Sequence, residues 1–429
     1  MTVLDRAIGL PSATALVVGT IIGSSIFVQA SEITAKVPSV AGVILAWAAA
    51  GALTLVGALV CAELASAYPK TGGVYVFLRE IYSPSLGFLW GWAMFWTMHS
   101  GILAAIATVF ARYAGQFVVL DDTATRLVAI GAIVVLSVIN YLGVALGGRV
   151  QSAFTLVKVA AVIAIIAIGW LMSGAVDVSN DWSVGAITPG NFLLAVGAGL
   201  FAFGGWHMVT YTAEETVDPT RTIPRSLMIG VVVVTLCYIG LNAVYLRVLP
   251  IDRVIASQRI AADAFEVLVG PQGARAVAAL VMFSAFGALN GIVLAGPRVY
   301  YQMARDRLWF RWAGDVHPRF LTPGRAILLQ GVWSSVLVFT GTYRALFTRV
   351  IYTEWIFFAL LAFGVVLLRR RPDYQPRWRM PLAPLAPLIF VAASAAIVIN
   401  QVAADPIESA IGLAIVATGF PAYWLWARR

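Results

Sequence analysis

Gly19-Thr20-Ile21-Ile22-Gly23-Ser24-Ser25-Ile26-Phe27 is the stretch that decides the fold. It lies inside an apolar run from about Pro11 to Ala30, long enough to cross a bilayer as a helix of ~20 residues. The central Gly-Ser-Ser disfavours helix, because glycine costs backbone entropy and serine hydroxyls compete for backbone hydrogen bonds. An unpaired peptide group in lipid is costly, so a helix that opens there must face protein, a cavity or a ligand. The stretch therefore predicts a binding site.

The two halves of such a broken helix offer complementary chemistry. The half that starts near Ser25 would aim free N–H groups and a positive dipole end at the gap, which suits a carboxylate. The preceding half ends in free carbonyls, which suit an ammonium. A molecule with both groups on one carbon is an amino acid. The alternative is that these small residues only allow close helix packing.

A second interrupted stretch favours the binding interpretation. Leu200-Phe201-Ala202-Phe203-Gly204-Gly205-Trp206 lies in the middle of the apolar run from about Asn191 to Thr212. Two glycine-interrupted helices at corresponding positions of two five-helix halves indicate an inverted-repeat transporter with its site at the membrane midplane. We therefore prefer transport to simple packing.

The composition indicates a polytopic membrane protein. Hydrophobic residues make up 61% of the chain and charged residues 11%, against ~25% charged in soluble domains. The net charge of +9 comes from basic residues at the ends of apolar runs, which indicates topology rather than nucleic-acid binding. Cys61 and Cys237 both fall in predicted spans and are interpreted as packing residues. No cleavable signal peptide is expected, because the first apolar run carries the broken-helix motif.

The hydropathy pattern predicts an all-α protein with twelve transmembrane helices. The predicted spans are 11–31, 41–66, 85–115, 126–143, 150–174, 190–213, 226–249, 276–303, 326–341, 347–368, 383–402 and 407–427. They form one transport domain over residues 1–429, with a first repeat at about 11–174, a second at about 190–368 and two extra helices at about 383–427. The amphipathic segment 252–270 is expected on the outer surface or over the entrance. Most of the 29 Lys and Arg residues fall in predicted inner segments, which places both termini in the cytoplasm and the protein in the cell membrane.

Several sequence blocks in the right order carry a resemblance to a known family. They are Gly19–Phe27, Tyr68-Pro-Lys-Thr-Gly-Gly-Val-Tyr75, Phe201–Trp206, Glu214-Glu215, Asp218–Arg225, Pro297–Tyr300, Ala304–Asp306, His317-Pro318 and Thr322-Pro323. The chain resembles the amino acid, polyamine and organocation superfamily, and within it bacterial-type members of the L-amino acid transporter family. This implies a fold like that of the leucine transporter, a 5+5 inverted repeat with spans 1 and 6 broken. The resemblance covers the first ten spans by motif and the last two by hydropathy.

For the first break, the resemblance implies a set of substrate contacts. The substrate carboxylate would rest on backbone amides around Ser24, Ser25 and Ile26. Its ammonium would meet the carbonyl of Ile21, and Gly23 belongs to the same binding segment. Ser25 replaces the family's commoner glycine, which leaves the preferred substrate size open.

For the second break, the resemblance implies further contacts. Carbonyls of Phe201 and Gly204 would also accept from the ammonium, and Ala202 lies between them. Phe201 resembles the outer aromatic gate of the family. Trp206 and His207 would line the region beyond the break, although His207 is equally well explained as a packing residue.

Lys158 is predicted to lie deep in the fifth span, nine residues past Arg149 and so ~13 Å along the helix. An ionisable residue at that depth suggests function. The resemblance implies that this lysine stands in for the cation of sodium-coupled relatives and ties the fifth span to carbonyls near Gly19 to Ile22. The alternative is a lysine that extends along its stem to the inner surface. If its proton leaves during the cycle, it would couple transport to protons.

Other polar residues receive simpler interpretations. His99 is expected to be a satisfied interior group, and Asn290 either a pocket residue or an interhelical contact. Glu63 is expected to brace the 68–75 loop. Glu214 and Glu215, at the end of the sixth span, are expected to pair with inner arginines.

The sequence thus predicts a sodium-independent exchanger of neutral L-amino acids that works by alternating access. A proton-coupled symporter is the alternative within the same class. An intramembrane enzyme is disfavoured, since the sequence has no His-Glu-x-x-His pair, no Gly-x-Ser-x-Gly elbow and no set of midplane carboxylates. We expect no cofactor, no metal and no nucleic-acid partner, and the expected partners are the small-molecule substrate and the lipid bilayer. No disulfide-linked ancillary subunit is expected, because the stretch 115–125 holds no cysteine.

Overall fold

The computed structural model describes residues 6, 8–23, 25–175, 178, 180, 182–183, 187–340 and 343–427. Residues 144–150, 175 and 343–351 are described by their backbone only. Throughout the described part the chain is helical, apart from turns, loops and an isolated β-bridge between Ile8 and Thr216.

Eighteen α-helices follow one another along the described chain. They are α1 Leu10–Ile21, α2 Gln29–Lys36, α3 Val40–Ala67, α4 Val74–Ile81, α5 Pro84–Ala93, α6 His99–Ala114, α7 Asp122–Leu142, α8 Val144–Met172, α9 Pro189–Ala202, α10 Pro219–Val248, α11 Ile251–Ala256, α12 Ile260–Ala295, α13 Pro297–Arg305, α14 Gly324–Thr340, α15 Tyr343–Leu368, α16 Leu385–Ala404, α17 Pro406–Ala417 and α18 Gly419–Ala427. Short 3₁₀ segments lie at Ser25–Phe27, Ser173–Ala175, Trp206–Glu215 and Arg311–Gly314, and a π-helix at Met94–Met98.

The helices are long and apolar enough for an integral membrane protein. Within the described residues, ten helical segments could each cross a bilayer, and two shorter apolar helices lie at Gly324–Thr340 and Tyr352–Leu368. The predicted count of twelve spans and the predicted repeat stay predictions. The helix of the predicted eighth span begins earlier than residue 276, since α12 starts at Ile260 and bends at Gly270, where φ is 74°.

Polar side chains mark where several of these helices begin. The side chains of Ser39, Ser83, Asp121 and Thr188 each accept a hydrogen bond from a backbone N–H three residues later. Each cap satisfies one of the amides that the first turn of a helix leaves free. These local signals fix the starts of α3, α5, α7 and α9.

The segment predicted to lie over the outer face packs against α2. The Ser31 hydroxyl donates to the Ser257 carbonyl at 2.7 Å, and Ile260 and Phe265 are buried. The segment therefore covers the helix that follows the first break.

The prediction for Glu63 was wrong in its partner. Glu63, fully buried on α3, accepts two hydrogen bonds from the Arg369 guanidinium at 2.9 and 2.6 Å and one from the Met380 amide at 2.8 Å. The Tyr374 hydroxyl also donates to it, and burial together with the Glu63 charge raises the pKa of Tyr374. Glu63 thus braces the loop between α15 and α16 rather than the 68–75 loop, because the pairing is long-range and leaves no local sequence pattern.

Arg369→Met tests this brace. We expect a loss of about 3 kcal/mol of stability, because a buried carboxylate would lose its charged partner. Arg325→Met is the matched control: its pair with Asp315 is about 60% exposed on both sides, so its loss should cost less than about 1 kcal/mol. Thermal unfolding of the purified proteins in detergent measures both. Equal unfolding midpoints for the two variants would contradict the assignment.

Candidate substrate site

The first predicted break is present between α1 and α2. α1 ends at Ile21, and Ile22 has φ −70° and ψ 87°. The Gly23 amide donates to the Ile21 carbonyl at 2.8 Å, which closes an inverse γ-turn. A 3₁₀ turn then begins at Ser25, which is buried together with Ile26. Ser24 lies outside the described residues.

The turn at Ser25 leaves amide groups unused by the helix. The Val28 amide donates to the Ser25 carbonyl at 3.0 Å, and the N–H groups of Ser25 and Ile26 lie in the first turn, ahead of the amides that such a turn uses. Together with the positive end of the helical dipole, such groups favour an anion. The geometry of the described residues therefore suits a carboxylate here.

The second predicted break follows α9. The Gly204 amide donates to the Phe201 carbonyl at 2.9 Å, and Gly205 has φ 98°, a left-handed conformation that glycine adopts without strain. The chain resumes as the 3₁₀ segment Trp206–Glu215.

The two breaks touch each other. The Thr20 hydroxyl lies 3.2 Å from the Gly205 carbonyl. A Cβ placed on Gly205 would lie 3.2 Å from the Thr20 carbonyl oxygen, so the two backbones approach closely. Two residues 185 positions apart in the sequence thus meet, which is what a shared site at two broken helices requires.

Tyr238 of α10 joins the carbonyl ends of the two breaks. Its hydroxyl oxygen lies 2.9 Å from the Ile21 carbonyl and 2.9 Å from the Ala202 carbonyl. A tyrosine hydroxyl has a single proton to donate, whereas an ammonium has three. The two oxygens therefore converge on a point that a substrate ammonium would satisfy more fully. Sequence reasoning missed Tyr238, although a polar aromatic residue within an apolar run is a signal that could have found it.

Lys158 of α8 contacts the first break. Its side-chain nitrogen donates to the Gly19 and Ile22 carbonyls, both at 2.9 Å, and the residue is 1% exposed. The predicted contact with the first span is confirmed, and the alternative of an extended, surface-seeking lysine is wrong. Its role in transport stays a prediction.

Asn290 belongs to an interhelical network. Asn140 of α7 donates from its amide nitrogen to the Asn290 side-chain oxygen at 2.8 Å, and Asn290 donates to the Gln151 side-chain oxygen at 3.2 Å. Of the two predicted roles, the structure supports the contact between α7, α8 and α12.

Aromatic side chains pack the region beyond the second break. The Trp206 and His207 rings each lie 5.0 Å from the Phe358 ring of α15, and both residues are buried. His99 is interior as predicted, but no protein group of the described residues provides the expected hydrogen bonds. Neither of its ring nitrogens has a hydrogen-bond partner among the described residues.

Glu214 and Glu215, at the end of the predicted sixth span, differ in their ion-pair partners. Glu215 pairs with Arg298 of α13 through two hydrogen bonds of 3.0 Å, and both side chains are buried. The predicted pairing is thus confirmed for Glu215, whereas the described chain gives Glu214 no ion pair. The Ile8 amide also donates to the Glu215 carbonyl at 3.0 Å, so the start of the chain is attached to the end of the second break's helix.

A cavity of about 420 Å³ lies away from the breaks, between α7 and α14. Aliphatic side chains line it, with Ser137, Gly331 and Ser335 among them. Several of its lining residues, such as Val134 and Val332, are exposed on the apolar surface. We interpret it as a lipid-facing groove rather than a substrate site.

Comparison with known proteins identifies the family. The amino acid permease family model matches residues 8–421. The chain belongs to the amino acid permease family. It is therefore a membrane transport protein of the amino acid, polyamine and organocation superfamily, as the motifs predicted, and not an enzyme.

Three relatives of this permease family member illustrate the range of similarity. The serine/threonine exchanger SteT of Bacillus subtilis strain 168 is 31% identical over 99% of this chain and 98% of its own length. The b(0,+)-type amino acid transporter 1 of Mus musculus is 30% identical over 100% of this chain and 91% of its own. The human cystine/glutamate transporter is 29% identical over 99% of this chain and 85% of its own.

Gly205→Ala tests the contact between the two breaks. We expect a lowered unfolding temperature, because alanine is strained at positive φ by about 1–2 kcal/mol and its Cβ would press on the Thr20 backbone. Gly131→Ala in α7 is the control, since nothing lies within 4 Å of its added Cβ and alanine favours helix. Thermal unfolding in detergent compares them. A Gly205→Ala protein as stable as the wild type would show that the breaks do not meet in this way.

Proposed function

We propose that this protein exchanges neutral L-amino acids across the cell membrane, independently of sodium, by alternating access around the two breaks. The observation that carries the proposal is the convergence of the Ile21 and Ala202 carbonyls on the Tyr238 hydroxyl, both at 2.9 Å. It brings together two backbone acceptors, one from each break, and the Ser25 and Ile26 amides follow a few residues after Ile21 on the same broken helix.

Substrate recognition in this proposal uses the backbone for the two groups that all α-amino acids share. The carboxylate binds the amides at Ser25 and Ile26, and the ammonium displaces Tyr238 from the Ile21 or Ala202 carbonyl. The Phe201 and Gly204 carbonyls contribute to the same acceptor set, and the Phe201 ring forms the outer gate. Side-chain specificity then depends on the region around Trp206 and His207.

Sodium independence is supported by Lys158. Its ammonium already occupies the place between α1 and α8 where it satisfies two carbonyls, so a metal cation has no role there. The same assignment supports neutral over acidic substrates, because this deep positive charge is engaged by the backbone.

The family relationship supports exchange, and the charge pattern supports the proposed topology. The relative SteT is a serine/threonine exchanger by name, which supports exchange for this chain. We propose twelve spans, a 5+5 inverted repeat followed by two helices, and both termini in the cytoplasm. The excess of basic residues in the inner segments supports this orientation.

Uptake of radiolabelled neutral amino acids into proteoliposomes tests the function. We expect uptake only when unlabelled amino acid is present inside, and no change when choline replaces sodium. Lys158→Ala should reduce uptake at least 10-fold, because two buried carbonyls lose their donor at about 1–3 kcal/mol each. Lys36→Ala, at the half-buried end of α2, is the matched control and should retain wild-type uptake.

The outcomes separate the alternatives. Uptake into vesicles without internal amino acid, driven by an imposed proton gradient, would favour proton-coupled symport instead. A folded protein that takes up no amino acid under either condition would contradict the proposal.

A further inference from the structure

A group of buried polar side chains lies beyond the second break and has no part in the proposed substrate contacts to the backbone. We call His99, His207, Tyr211 and Glu354 the polar cluster. The two imidazole rings are nearly parallel, at 10°, with centroids 6.4 Å apart. The Tyr211 ring meets His99 at 5.8 Å and His207 at 5.5 Å, edge-on to both.

Three separate elements bring the polar cluster together. His99 begins α6 directly after the π-helix Met94–Met98, and His207 and Tyr211 lie one turn apart on the 3₁₀ segment. Glu354 lies on α15 one helical turn before Phe358, whose ring contacts His207 at 5.0 Å. The buried Glu354 side chain therefore lies on the face of α15 that packs against His207.

Most polar atoms of the cluster lack protein partners. Within the described residues, the four imidazole nitrogens and the Glu354 Oε1 atom accept or donate no hydrogen bond, whereas the Tyr211 hydroxyl lies near the Trp90 indole N–H. All four residues are at most 4% exposed. A Cβ on Gly296 would lie 2.9 Å from His99 Nδ1 and closer still to the Gln330 side-chain oxygen, so these two unpaired atoms both face Gly296.

Such atoms need partners that the protein does not supply. Each unsatisfied buried polar group costs about 1–3 kcal/mol, and the cluster concentrates several of them in one place. Buried water typically makes two to four hydrogen bonds to groups of this kind. Ordered water is therefore the simplest way to satisfy the imidazoles, the hydroxyl and the carboxyl together.

The charge balance of the cluster points to a bound proton. The described residues give Glu354 no Lys or Arg partner, and a bare carboxylate in the membrane interior is expensive. A proton on the carboxyl, or passed through water to an imidazole, keeps the cluster neutral. The titratable groups that face one another here are His99, His207, Tyr211, Glu354, Tyr300 and Cys61. Arg298 of α13 is already paired with Glu215, which lies at the end of the 3₁₀ segment.

We propose that the polar cluster is a buried, hydrated proton-binding site that holds one exchangeable proton at neutral pH. His207 directly follows Trp206 at the second break, so the proton on Glu354 of α15 is held against the segment that must move if the site opens. Loss of the proton at high pH would leave a bare charge in the membrane interior and slow that movement.

Infrared spectroscopy of the purified protein tests proton binding without any transport assay. The wild type at neutral pH should show the C=O stretch of a protonated carboxylic acid that shifts in D₂O. Glu354→Gln should lose this band, Glu354→Asp should retain it in shifted form, and Glu266→Gln, at an exposed position, should leave it unchanged. A wild type without the band, or a band that Glu354→Gln leaves intact, would overturn the proposal.

The pH dependence of exchange tests the consequence and rests on the proposed function. With equal pH on both sides of the membrane, wild-type exchange should fall as pH rises. Glu354→Gln mimics the protonated acid and should flatten this decline, while Glu266→Gln should follow the wild type. Identical pH profiles for Glu354→Gln and wild type would contradict the link to movement, and absence of exchange at every pH would count against the transport proposal alone, since the infrared result stands independently.

Discussion

The structure depends on the need to satisfy backbone polar groups where two helices open inside an apolar environment. Lipid offers no hydrogen-bonding partner, so each free carbonyl or amide must find one within the protein or in a ligand. At the first break the donors are side chains of other helices. Lys158 donates to Gly19 and Ile22, Tyr238 to Ile21, and Ser284 to Gly23 at 3.2 Å.

These donors connect elements that must move relative to one another in a carrier. Lys158 fixes α8 to α1 through a charge-assisted pair of bonds, which are stronger than neutral ones. Tyr238 offers one proton to two carbonyls, one from each break, so its bonds exchange readily. In the proposed binding mode, a substrate ammonium competes with this hydroxyl rather than with the lysine. Lys158 thus holds α8 firmly against α1, whereas Tyr238 connects α10 to the two breaks through hydrogen bonds that can exchange.

The breaks and the depth of Lys158 were predictable because both have local signals, whereas the carbonyl partners of Lys158 were predicted from the family resemblance. Glycine and serine in an apolar run mark an interrupted helix, and a lysine deep in a span needs a partner. Pairings across long distances left no such signal. Glu63 with Arg369 and the two-carbonyl contact of Tyr238 required the assembled helices. A buried histidine usually has hydrogen-bond partners, so the sequence predicts partners for His99. Only the packed helices reveal that its ring nitrogens lack partners among the described residues.

The most direct measurement is an experimental structure of the protein with a bound neutral amino acid such as L-serine. We predict the substrate carboxylate within about 2.7–3.2 Å of the Ser25 and Ile26 amides and its ammonium on the Ile21 or Ala202 carbonyl, with Tyr238 displaced from that carbonyl. A substrate bound elsewhere, with Tyr238 still between the two carbonyls, would contradict the assignment of the two breaks as the binding site.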